Sequence, residues 1–166
     1  MIVVRGEGVS ETVVIRTAGA EDVPGIVALL NVAFAMEREF VDRDRTSADE
    51  IAALMRTGTF LVADGADAFA ACAYVELHGT RAYMGMLAVD PSMQGRGLGR
   101  RMIAAVENRA IDAGCTGIDI KIVDRRVELP PLYRALGFRD NGMAPFDDPL
   151  LTKPCHFLLM SKELTP

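Results

Sequence analysis

Strands alternating with helices along one continuous chain predict a single mixed α/β domain of the α+β type. Three observations carry that prediction. Strand-like apolar segments recur at 13–17, 59–63, 68–77, 81–89, 118–123, 138–143 and 156–160. Between several of them lie stretches whose apolar residues repeat at helical spacing. The chain has 166 residues, 50% of them hydrophobic, which is enough for the core of one ordinary domain. No internal repeat, low-complexity tract or linker divides it. The domain is expected over 13–166, with 1–12, around Gly6, Glu7 and Gly8, as a loose N-terminal extension.

The elements follow in order. Val13, Val14 and Ile15 open the first strand. Asp22 is expected to cap a helix over 22–40, with Ile26, Leu29, Leu30, Ala33 and Phe34 on one face. Ser47-Ala48-Asp49-Glu50 is a capping box that opens a second helix over 48–56, turning Ile51, Leu54 and Met55 inward. Asp64-Gly65-Ala66-Asp67 joins two strands as a hairpin, and His78-Gly79-Thr80 turns the chain into the next. Over 98–113, Leu98, Met102, Ala105, Val106, Ala110 and Ile111 recur at helical spacing until Gly114 closes the helix. Pro130-Pro131 starts a short helix that Gly137 ends, and two strands complete the chain.

The segment between the 81–89 strand and the 98–113 helix carries the most chemistry. It reads Asp90-Pro91-Ser92-Met93-Gln94-Gly95-Arg96-Gly97-Leu98-Gly99-Arg100-Arg101. Pro91 offers no N–H to a ladder, so strand pairing ends there. Glycines at 95, 97 and 99 let the backbone curl so that its amides converge on an anion at the positive end of a helix dipole. Arg96, Arg100 and Arg101 add charge suited to phosphate oxygens. The dinucleotide pattern G-x-G-x-x-G is absent because Arg100 and Met102 stand where a third glycine belongs. The P-loop is absent too, since no Lys-Ser or Lys-Thr pair follows the glycines. Alone, the pattern would equally suit a glycine-rich turn capping a helix.

What remains, Gln94-x-x-Gly97-x-Gly99, resembles the coenzyme A signature of the GNAT acetyltransferase superfamily. Downstream, Leu132-Tyr133-Arg134-Ala135-Leu136-Gly137-Phe138 is similar to that family's L-Y-x-x-L-G-F segment. The motifs stand in the family's order, with room for one helix and one strand between them, and the resemblance extends over 13–164. It implies a mixed, mostly antiparallel sheet of about six to seven strands flanked by about four helices. Two parallel strands splay apart in this fold, and acetyl-CoA enters the gap. Backbone groups of Leu87, Ala88 and Val89 would hold the pantetheine arm as an added strand. Gln94, Gly95, Arg96, Gly97, Leu98, Gly99 and Arg100 would hold the pyrophosphate.

The resemblance also implies a direct attack of an amine on the thioester, with Tyr133 as the acid that protonates the departing thiolate; the alternative is that Tyr133 only packs against the cofactor. Direct attack also agrees with the absence of Cys72, Cys115 and Cys155 from the motif positions. Many family members take their base from the strand before the glycine loop. Here that strand reads Tyr83-Met84-Gly85-Met86-Leu87-Ala88-Val89, with no carboxylate. Glu76 and Glu128 are the nearest candidates by topology, each equally suited to a solvated or capping role. After the 118–123 strand the family commonly has an Asn touching the pantetheine. This chain offers Arg126 or Asp124, and Asp124 can accept but not donate as an amide does.

Other features set bounds. A net charge of −5 argues against general nucleic-acid binding. The three cysteines fall in no metal-ligand or C-x-x-C spacing, and with only two histidines no metal site is expected. Interrupted apolar runs and the lack of a signal pattern exclude membrane partners and point to the cytoplasm. The acceptor is expected from the side built by the first two helices, where Glu37, Arg38, Glu39, Asp42, Arg43, Asp44 and Arg45 mix both signs, and by the last loop, with Asp147, Asp148 and Lys153. The reading is an N-acetyltransferase using acetyl-CoA and a primary amine of a small molecule or protein, with homodimerisation left open. A non-catalytic acyl-CoA-binding sensor of the same fold is the alternative.

Overall fold

The computed structural model describes residues 2–3 and 13–165. Its strands are β1 (Ile2–Val3), β2 (Val14–Thr17), β3 (Thr59–Asp64), β4 (Phe69–His78), β5 (Arg81–Val89), β6 (Gly117–Val123), β7 (Arg139–Pro145) and β8 (His156–Glu163). The helices are α1 (Val23–Ala33), α2 (Ala48–Leu54), α3 (Leu98–Asp112) and α4 (Leu129–Ala135). The strands form one sheet of eight in the order β1-β2-β3-β4-β5-β6-β8-β7. The two-residue β1 takes the sheet one strand past the six or seven expected; the rest of the expected N-terminal extension lies outside the described residues.

Connection length decides strand direction. Short turns join β3 to β4 and β4 to β5, and both pairs are antiparallel. Between β5 and β6 the chain makes a helical crossover through α3, and this pair is parallel. Neighbouring residues of β3 point to opposite faces. Phe60 and Val62 pack under α1 and α2 with Ile26, Leu30 and Ile51. Leu61 and Ala63 face the other layer, where α3 buries Met102, Val106 and Ala110 and α4 adds Tyr133. A fully buried side chain such as Met102 contributes about 1.5–3 kcal/mol to the fold.

Caps and breaks agree with the sequence in most places. The Ser47 hydroxyl accepts from the Glu50 amide, which opens α2 as a capping residue should. Gly114, at φ +83°, closes α3. The expected helix over 22–40 is shorter: α1 ends at Ala33, and a 3₁₀ turn, Ala35–Glu39, follows. Phe34 leaves helical geometry at φ −101°, ψ 13°. The turn carries Phe40 and Val41 away from α1 into a separate apolar cluster with Val123 and Cys155. Asp22 stands at the start of α1 but makes no side-chain cap there. Its carboxylate instead accepts from the Gly19 amide at 2.8 Å and from Arg16 at 2.7 and 2.9 Å.

Candidate active site

The sheet opens where β5 and β6 stop pairing. Their parallel register runs from Arg81↔Gly117 to Met84↔Ile120 and goes no further. Beyond it β6 stays with β8 as far as Val123↔Phe157, while β5 stays with β4. A bulge bends β5 at the parting point: Tyr74 pairs with Gly85 and Cys72 with Ala88, so Met86 and Leu87 together oppose Ala73. Met86 takes φ +49° there, a left-handed conformation rare for a side-chain-bearing residue. The result is a cleft of about 750 Å³ lined by Tyr83–Val89 of one strand and residues 120–123 of the other. On its β6 side, the outer half of β5 has no strand partner, which leaves backbone positions for an added strand.

The glycine loop closes one end of this cleft. Asp90 accepts from the Ser92 hydroxyl at 2.5 Å and from the Ser92 amide at 2.8 Å, and these bonds, the hydroxyl's first, hold its carboxyl below the usual range. Pro91–Met93 make a 3₁₀ turn, and Gly95 and Gly97 follow at φ +77° and +76°. Gly97 is the N-cap of α3 and supplies no side chain to the helix's first amides. A Cβ at Gly95 or Gly97 would meet nothing within 4 Å, so both face open space. A smaller pocket at this end is lined by Leu87, Val89, Gln94, Gly97, Gly99 and Arg100, among others. Gln94 Nε2 donates to the Val89 carbonyl at 3.3 Å and ties the loop to the strand. Leu98 and Gly95 also line this pocket, whereas Ala88 lines the larger cleft and Arg96 lines neither. Arg101 reaches the other way, to the Val13 carbonyl at 3.1 Å.

Tyr133 projects from α4 into the larger cleft. Its ring meets Phe138 edge-on at 5.4 Å between centroids. Burial pushes the phenol up to about 12, with the Arg126 charge opposing. It therefore keeps its proton across the physiological range and can donate it. The two carboxylates considered for the base lie apart. Glu76 faces Tyr83 across β4 and β5, accepts from the Tyr74 hydroxyl at 2.7 Å and stands 3.3 Å from His78 Nε2. It is not among the cleft-lining residues. Glu128 does line the cleft, with Oε1 bonded to Arg126 Nε at 2.6 Å. Partial burial opposes its ionisation, but the Arg126 bond helps hold the carboxyl below its usual range.

Asp124 ends β6 just outside the lining residues. Its amide continues the ladder to the His156 carbonyl at 2.9 Å, and Oδ2 stands 3.5 Å from His156 Nδ1. Its Oδ1 is buried with no hydrogen-bond partner, and the residue does not line the cleft, so the contact with the pantetheine expected of Asp124 is not presented by a cleft-facing group.

Three features of the far wall were not singled out as site residues from the sequence. Tyr83 lines the cleft, its hydroxyl lying over Gly85, where a Cβ would come within 2.9 Å of it. Its two-residue spacing from Gly85 along a strand was the available signal. Glu37, in the 3₁₀ turn, is buried to 14% side-chain exposure, with Arg126 Nη1 at 3.3 Å and Arg45 Nε at 3.8 Å. Burial raises its carboxyl above the usual range despite both guanidinium groups. Both arginines lie over the Phe34 ring, with Cζ atoms 5.3 Å (Arg45) and 5.9 Å (Arg126) from its centroid. Among the described residues no cluster of three or more His, Cys, Asp or Glu could hold a metal ion.

Comparison with known proteins adds to this geometry. The profile of the acetyltransferase (GNAT) family matches residues 26–138. A thialysine N-epsilon-acetyltransferase from Bos taurus is 31% identical over 67 residues, a match that spans 40% of this chain and only 39% of that protein. Among solved structures, the ribosomal-protein-S18-alanine N-acetyltransferase of Escherichia coli superposes with a TM-score of 0.76 at 17% identity, covering 93% of this chain and 96% of that one. The protein yncA of Salmonella typhimurium, solved with its cofactor acetyl-CoA, superposes at 0.72 with 19% identity over 94% and 96% of the two chains. At these identities the structures establish a shared fold.

Proposed function

The chain belongs to the GNAT acetyltransferase family, and from that premise we propose that it transfers an acetyl group from acetyl-CoA to a primary amine of a small molecule or protein by direct attack. One observation carries this reading most: the unpaired outer half of β5 runs straight into a glycine loop at the N-terminus of α3. A pantetheine arm can add to the strand while the pyrophosphate meets the amides of the loop. The residues fit that ligand. Gly95 and Gly97 leave open the space a phosphate would fill, and Arg100 stands beside it.

Acetyl-CoA supplies an acetyl group already activated as a thioester. The protein has then to position the amine, accept its proton and return one to the leaving sulfur. Tyr133 holds a proton that burial keeps in place, and the same burial raises the basicity of a thiolate formed beside it. For the base, Glu128 lies in the cleft but is bonded to Arg126, and Glu76 reaches the cleft only by way of Tyr83 on the neighbouring strand. The named acceptor of the bovine relative, an epsilon amine, supports a primary alkylamine for this chain.

No helix among the described residues is long and apolar enough to cross a membrane. Three buried free thiols support a reducing, cytoplasmic setting for the enzyme. The deciding experiment follows coenzyme A thiol release from acetyl-CoA over a panel of amines and peptides. Amine-dependent release supports the enzyme; tight acetyl-CoA binding with no release over the whole panel supports the sensor instead.

A further inference from the structure

We propose that Glu37 is the counter-ion of the acceptor's ammonium group, and that Arg126 holds that place until a cationic acceptor enters. The proposal rests on the acetyl-transfer reading and narrows its acceptor to compact primary ammonium compounds.

Bond lengths separate Glu37 from the other ion-paired acids of the cleft, and burial separates it from Asp147, which is exposed. Asp148 is bound by Arg43 at 2.9 and 3.0 Å, Glu128 by Arg126 at 2.6 Å, and Asp44 by Arg38. Glu37 is held in two long pairs, 3.3 Å to the equally buried Arg126 and 3.8 Å to the more exposed Arg45. A charge-assisted bond to a carboxylate ordinarily closes to about 2.7–2.9 Å. Arg126 Nη1 does donate to Glu37, but at 3.3 Å, and a carboxylate taken out of water with only such a long bond is incompletely compensated.

The arginines are held back by other contacts. Arg126 makes its short bond to Glu128 and lies over Phe34; Arg45 lies over the same ring. Both planar groups are anchored in place, whereas an alkylammonium is compact and carries three donors that can turn to meet a fixed acceptor. When it takes Glu37, Arg126 retains Glu128, and Arg45, half-buried in the cleft wall, retains the Phe34 ring. Tyr133 lines the same cavity, which puts an ammonium at Glu37 in the chamber that holds the acid. A quaternary ammonium has no N–H to give and does not fit this description; a neutral arylamine has no charge to offer.

The test uses binding, so it stands apart from turnover. The full chain, carrying 13C at its glutamate carboxyl carbons, is titrated with n-butylammonium chloride at constant ionic strength, with tetramethylammonium chloride as the parallel arm. One carboxyl signal, missing in Glu37→Gln, is expected to move saturably with n-butylammonium and not with tetramethylammonium. Glu37→Gln should weaken n-butylammonium binding, followed by thermal shift, about tenfold or more. Arg126→Gln should strengthen it severalfold, a change of sign that loss of fold cannot imitate. Weakening by both variants, or equal response to the two cations, overturns the proposal. Acetyl-CoA binding is measured separately by calorimetry: its failure in the wild-type chain defeats the donor reading, while the n-butylammonium result alone decides the role of Glu37.

Discussion

Met84 and Ile120 are the last residues that β5 and β6 share across their parallel ladder. One residue later Gly85 begins a bulge against β4, and the two strands follow different neighbours. The cleft is therefore a consequence of register. β6 keeps β8, β5 keeps β4, and the outer half of β5 has no strand on its β6 side. The glycine loop follows the end of that half-strand, so the loop amides and the unpaired strand form one continuous surface.

Replacing Gly97 with valine tests the loop. At φ +76° a side chain costs about 1–2 kcal/mol of backbone strain. A Cβ there meets no protein atom within 4 Å, so the fold should survive. The side chain would instead occupy the open space where the proposed function puts the phosphate. Calorimetry is expected to show acetyl-CoA affinity reduced by more than about tenfold, with the urea midpoint lowered by about 0.5–1 M and the transition still cooperative.

Tyr133→Phe removes one hydroxyl and keeps the ring that meets Phe138. With an accepted amine, kcat should fall about 100-fold or more, the usual size of a lost general acid, while acetyl-CoA affinity changes little. Unchanged kcat would assign Tyr133 to packing.

Stability should decline steeply in alkali. Burial pushes the Tyr133 phenol from 10.0 to about 12 and the Cys72 thiol from 9.0 to about 12. Between the ordinary and the raised values the unfolded chain has released protons that the folded chain keeps. Unfolding free energy therefore falls as pH rises, by about 1.4 kcal/mol per pH unit for each such group. Urea unfolding between pH 8 and 11 should show the slope begin with Cys72 and steepen near pH 10. Tyr133→Phe should remove one proton's worth of the later slope.

Asp22→Asn addresses a different part of the molecule. The carboxylate is buried, takes two bonds from Arg16 and one from the Gly19 amide, and so ties β2 to the start of α1. Losing the charge should cost about 1.5–3 kcal/mol at pH 7. Chiefly through the Arg16 bond, the carboxyl is held below its ordinary 3.8. Its contribution is then present above that value and is lost as pH falls below it. Urea titrations at pH 7 and pH 3 should show a smaller gap between variant and wild type in acid.

Much of this was legible in the sequence because local chemistry and tertiary structure agree. Ser47 caps the helix that its spacing from Glu50 announced, and Gly95 and Gly97 take the positive φ that only glycine adopts freely. The periodicity of Leu98, Met102 and Val106 matches the buried face of α3. Legibility failed where distant residues decide. The apolar pattern through Phe34 and Phe40 reads as one helix, but Phe40 belongs with Val123 and Cys155, which draw it around a tight turn. The same turn buries Glu37, one acid in a run of seven charges, against Arg126 from the other end of the chain. No local signal separates it from its solvated neighbours. β7 and β8 extend to Pro145 and Glu163, past the expected 143 and 160, because each is prolonged by its neighbour in the sheet and not by its own propensity.

The most direct test of the cofactor cleft is amide hydrogen exchange followed residue by residue as acetyl-CoA is added. The account predicts slowed exchange at Leu87, Ala88 and Val89 and across residues 95–100, saturating with a single affinity, with β7 unaffected. Saturable binding that leaves those amides unchanged, or protection confined to another face of the sheet, would contradict it.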